Sequence, residues 1–68
     1  MNAEIVQVRK MFMNLYEAQR DYLAKQPPRV VEDLLHEAED LRHDPSFSVV
    51  ASAEINRAAC LHVLGRLS

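Results

Sequence analysis

Two proline steps constrain this chain more than any other feature. "KQPPR" around Pro27–Pro28 and "RHDPSF" around Asp44–Pro45 hold all three prolines, and glycine appears once, at Gly65. A residue before proline is pushed out of the helical region, and proline itself cannot continue a helix that has begun. The chain is therefore cut into three segments. None shows the sustained alternation of a strand, and no internal repeat is present, so each reads as a helix. The expected fold is all-α: a helical hairpin plus a third helix forming one small bundle over residues 1–68.

The first segment predicts a helix from about Ala3 to Lys25, with Asn2 as a plausible N-cap and Glu4 well placed for the helix dipole. Ile5, Val8, Phe12, Leu15 and Tyr22 follow 3-4 spacing, with Gln19 falling where another apolar residue is expected, and read as the packing seam. Val6, Met13 and Ala24 fall outside that seam, flanked by Arg9 and Arg20, and make a second, smaller apolar face. The second helix, about 28–43, starts at Pro28, whose missing N–H costs nothing at a first helical position. Val30, Val31, Leu34, Leu35, Ala38 and Leu41 occupy an arc of about 140° that should face the core. The third helix, about 46–64, takes its cap from Asp44, Ser46 or Ser48 and ends where Gly65 can adopt the left-handed conformation. Its main stripe is Phe47, Val50, Ala51, Ile55, Ala58, Leu61 and Leu64. Val49, Ala53, Cys60 and Val63 leave little polar surface behind it, so this helix should be covered on more than one side.

A chain of 68 residues buries only roughly 60% of the surface its unfolded form exposes. One such core seldom supplies more than about 3–5 kcal/mol. The single cysteine, Cys60, rules out an internal disulfide, and no paired-cysteine spacing suggests zinc. Self-association or a partner is the remedy left, and a homodimer is expected. The chain is 49% hydrophobic with a net charge of −2, which suits a folded helical protein and argues against a general nucleic-acid binder. No apolar run approaches a membrane span, and "MNAEIVQVRK" lacks the apolar centre of a signal peptide, so the expected address is the cytoplasm.

"HEAEDLRHDP", from His36 to Pro45, concentrates two histidines and four carboxylates. His36 and Asp40 are i,i+4 neighbours, as are Glu39 and His43, so His36, Asp40 and His43 are candidate metal ligands. Plotted against the core arc, however, Glu32, His36, Glu39, Asp40 and His43 lie on the opposite side. An outward-facing stripe offers neither a dry surround nor an orienting second shell, so no metal is expected. No glycine-rich phosphate loop, nucleophile elbow or H-E-x-x-H is present, and three short helices rarely enclose a pocket able to perturb an acid–base pair. His62 lies two residues from Cys60, on a different side of the helix, which favours a small buried hydrophobe over a nucleophile. No catalytic residue and no cofactor is predicted.

The remaining surface signal is apolar with arginine margins. Val6, Arg9, Met13 and Arg20 share the smaller face of the first helix. Arg42 lies on the core arc of the second, where its stem can be covered while its head meets a carboxylate. Methionine adapts its shape and arginine makes forked hydrogen bonds beside apolar contacts, a combination that suits protein-binding surfaces. Tyr16 and Tyr22 read either as core residues with wet hydroxyls or as interface anchors. The expected function is therefore non-enzymatic: binding and modulating a larger protein target. In size and composition, though not in any motif, the chain resembles small bacterial or phage-encoded regulators, antiactivators and secretion co-chaperones. A small nucleic-acid-associated regulator using Arg9, Lys10, Arg20, Lys25 and Arg29 is the alternative. A helix-turn-helix fails, because neither junction has the tight glycine turn and the second helix is acidic outside. Metal binding through the helix 2 histidines ranks third.

Overall fold

The computed structural model describes residues 3–66, leaving aside the side chain of Ile5. It is a small all-α bundle of three helices: α1 (Ala3–Leu23), α2 (Pro28–Leu41) and α3 (Phe47–Val63). The proposed cap Asn2 lies outside the described residues, as does the Ile5 side chain of the expected seam.

Local chemistry accounts for each boundary. α1 stops at Leu23, two residues before the expected Lys25, and the amides of Lys25 and Gln26 turn back to the carbonyls of Tyr22 and Leu23. Those tighter bonds start the turn that Pro27 and Pro28 require. In α2 Pro28 is the first helical residue, and the Pro27 carbonyl accepts from the amides of Val30 and Val31. Arg42 and His43, expected inside this helix, instead lead into the turn in which Asp44 N–H donates to the Leu41 carbonyl. Asp44 Oδ1 then accepts from Ser46 N–H at 2.8 Å, and Ser46 is the N-cap of α3. The Ser46 hydroxyl makes no cap bond and meets that of Ser48 at 3.1 Å. At the far end Gly65 has φ of 70°, with Gly65 N–H on the His62 carbonyl and Arg66 N–H on that of Leu61. This paired arrangement is a Schellman ending, which satisfies carbonyls that would otherwise lack donors.

α3 lies between the other two helices and packs against both, while α1 and α2 make hardly any direct contact. A helix apolar nearly all round is used in the way its pattern demands, with covering on two sides. The fully buried apolar residues, among those described, are Leu23, Val31, Leu35, Ala38, Ala53, Ala59 and Cys60. Three of these seven are alanines, so the helices meet over small side chains and the core is thin. Tyr16, Leu34, Leu61, Val63 and Leu64 pack around its centre. Glu32 of α2 receives both terminal nitrogens of Arg66, tying the end of α3 back across α2.

The expected seam of α1 needs correction. Val8, Leu15 and Tyr22 are exposed, and Phe12 only narrowly so, whereas Leu23 is buried and Tyr16 packs against the core. The row turned toward α3 is Phe12, Tyr16, Gln19 and Leu23, rotated from the expected one. Both rows have 3-4 spacing, and α3 has room for only one. Phe47, placed in the main stripe of α3, is 82% exposed. It is the first residue of its helix. Phe12 and Met13 face Ala51 across the groove between α1 and α3. In α2 the buried residues are Val31, Leu35 and Ala38, and Val30 lies on the exposed edge of the expected arc.

Candidate functional site

The stripe of α2 that holds the histidines faces outward. His36, Glu39, Asp40 and His43 are all exposed. Among the described residues no group of three His, Cys, Asp or Glu side chains is placed to hold a metal ion. Glu32, half-buried, is engaged by Arg66 instead. Cys60 is fully buried, and burial pushes its thiol pKa up, with the negative charge of Glu32 adding to the rise. Both effects disfavour a nucleophilic thiolate.

Arg9, Lys10, Lys25 and Arg29 are exposed, but Lys10 lies about 100° round α1 from Arg9. Arg20 is held locally, its guanidinium 5.6 Å from the centre of the Tyr16 ring and its Nε 3.6 Å from Asp21 Oδ1. A phosphate backbone needs several cations on one face. Arg57, which the sequence reading left aside, has a buried Nε with no hydrogen-bond partner, its stem taken into the packing of α3.

A shallow, open groove of about 380 Å³ lies between α1 and α3. One wall is Phe12, Met13 and Tyr16; the other is Ala51, Glu54, Ile55 and Ala58. Its position follows from side-chain size: Ala51 and Ala58 on α3 are small and only half-buried opposite Phe12, Met13 and Tyr16, and leave a furrow between the helices. Apart from the Tyr16 hydroxyl, the lining offers one charged group, the Glu54 carboxylate. Arg42 Nε donates to Glu54 Oε1 at 2.6 Å, both side chains being more than a third exposed. Arg42 thus meets a carboxylate across the α2–α3 contact, and it is joined to the groove through Glu54.

Of the residues proposed for partner binding, Met13 lines the groove and is 55% exposed. Arg20 stands over Tyr16 in the same wall. Arg9 and the half-buried Val6 share the Met13 side of α1 by spacing but are not part of the lining. The α3 wall escaped the sequence reading, which assigned Ala51, Ile55 and Ala58 to the core stripe. Its only signal was the excess of apolar positions on α3. A second, smaller cleft on the opposite flank of the α1–α3 contact is lined by Leu15, Gln19, Ser52, Ile55 and Asn56 and is mixed in polarity.

No helix among the described residues is long and apolar enough to cross a membrane. Comparison of the chain with protein-family models, with curated proteins and with solved structures finds no match.

Proposed function

We propose that this protein is a non-enzymatic binding module of the cytoplasm that modulates a larger protein by taking one of its amphipathic helices into the α1–α3 groove. The observation that carries this reading is the apolar groove itself, with Met13 half-exposed on its lip. Helix-in-groove recognition uses apolar anchors at i, i+3 or i+4 and i+7. Arg9 and Arg20 stand on the α1 side, so the complementary helix carries acidic residues beside its apolar row. The flexible thioether of Met13 lets the lip adapt to the anchor's shape.

The test is to identify a protein that the chain captures from its source cell and then measure that protein's affinity for defined variants. Met13→Asp places an unpaired charge in a contact that must be desolvated, and is expected to abolish binding. Arg20→Ala should weaken it severalfold. Helix content should survive both changes, since both side chains reach the surface. Binding that is indifferent to Met13→Asp overturns the groove reading. A captured nucleic acid whose affinity falls steeply with salt would establish the alternative instead.

A further inference from the structure

α1 carries a second apolar row that belongs neither to the core nor to the groove. Val8, Met11, Leu15, Ala18 and Tyr22 repeat at intervals of 3, 4, 3 and 4 residues, the seam spacing of paired helices. All five are exposed, Val8 at 48%, Met11 at 62%, Leu15 at 55% and Tyr22 at 56%. Plotted at 100° per residue, the row centres about 100° from the Phe12–Tyr16–Leu23 face that meets α3, on the side away from Met13. Every charged residue of α1 between Val8 and Tyr22 (Arg9, Lys10, Glu17, Arg20 and Asp21) lies at least about 100° from its centre. Gln7 and Asn14, on the outer flank, are uncharged and exposed.

We infer that a second copy of this chain covers this row, with the two α1 helices antiparallel across a twofold axis near Met13. From Val8 to Tyr22 the row is uncharged, with Glu4 continuing it at the N-terminal end, so a nucleic acid finds no cation there to pair with, whereas an identical apolar row of the same pitch matches it along that length. Fully covered, the exposed parts of these residues would bury at most about 500 Å² per copy, or about 1,000 Å² for a pair, the lower bound for a specific interface. Antiparallel order sets Met11 against Leu15 of the second copy and the small Ala18 against Val8. Parallel order would set Ala18 against itself and leave a gap. Antiparallel order also separates the two Glu4 side chains, which continue the row one turn before Val8 and which parallel order would set against each other, and it opposes the helix dipoles. The groove, on the other flank of α1, stays open, so this pairing is independent of the proposed function.

Sedimentation equilibrium of the intact chain decides it. The unmodified protein is expected at twice its 7.8 kDa chain mass at micromolar concentration. Met11→Glu and, separately, Ala18→Glu should sediment as helical monomers, with dimer affinity lowered at least about a hundredfold by a charge in the contact. Met13→Asp, on the groove side, should remain dimeric. In an equimolar oxidised mixture of Met11→Cys and Leu15→Cys proteins, the mixed disulfide should predominate over either symmetric one. A monomer mass that persists to high concentration overturns the inference, as does a dimer unmoved by both glutamates or one dissociated by Met13→Asp alone. Predominance of the symmetric disulfides overturns the antiparallel arrangement.

Discussion

Leu23→Ala should remove most of the stability of this fold. Leu23 is 1% exposed at the end of α1, clustered with Val31 and Leu35 of α2 and Ala59 and Cys60 of α3. Among the described residues it is the one residue of α1 in the buried cluster, so its side chain is what ties α1 to the other two helices there. Truncating a buried leucine costs about 2.7–5 kcal/mol, toward the upper end where the surroundings cannot collapse. Here the site is walled by α2 and α3, whose positions are set elsewhere: α3 by its Schellman end and the Arg66–Glu32 pair, α2 by its contact with α3. Set against the about 3–5 kcal/mol that a core of this size supplies, the loss leaves a chain substantially unfolded. Urea unfolding followed by helical circular dichroism, at one fixed protein concentration, measures the change. With a slope near 1 kcal/mol/M, the low end of about 1–3 kcal/mol/M for a small protein, the midpoint should fall by about 3 M or more. Leu23→Met keeps the volume and should cost less than about 1.5 kcal/mol. A drop below about 1 M for the alanine, or equal losses for alanine and methionine, would refute the reasoning that Leu23 closes the core.

Replacing His36 and His43 together with glutamine should shift the melting midpoint by no more than about 2–4 °C, because both side chains are exposed and surface changes stay within about 0.5 kcal/mol. A large loss, together with zinc-dependent stabilisation of the unmodified protein alone, would reverse that view. Cys60 gives a pH signature: its thiol pKa is raised in the folded state by burial and then by Glu32. The unfolded state therefore ionises first, and this contribution is fully present below the ordinary thiol value of about 8.5 and is lost as pH rises from there toward the folded value. Urea midpoints at about pH 7 and about pH 10 should show a decrement in the unmodified protein that Cys60→Ala lacks; equal decrements would place the effect on other groups.

The sequence by itself determined where helices begin and end to within a turn, because proline and glycine act through their own backbone dihedrals and need no tertiary partner. It also determined which side of α2 is wet: Val31, Leu35 and Ala38 are buried on one side and His36, Glu39 and Asp40 exposed on the other, since that helix has a single apolar arc. The same reasoning could not settle α1, which has two overlapping rows at 3-4 spacing. Periodicity gives the angle of each row around the helix but not which one a neighbour will cover. That choice was made by α3, which packs on the Phe12–Tyr16–Leu23 face and leaves Val8, Met11, Leu15 and Tyr22 exposed. Half of the candidate site was legible in the same way. Met13 and Arg20 share a helix face by spacing alone, but their opposite wall of Ala51, Glu54 and Ile55 exists only through the register of α1 on α3. Register is a property of how small side chains at a crossing let two helices approach, and that is decided by three-dimensional packing.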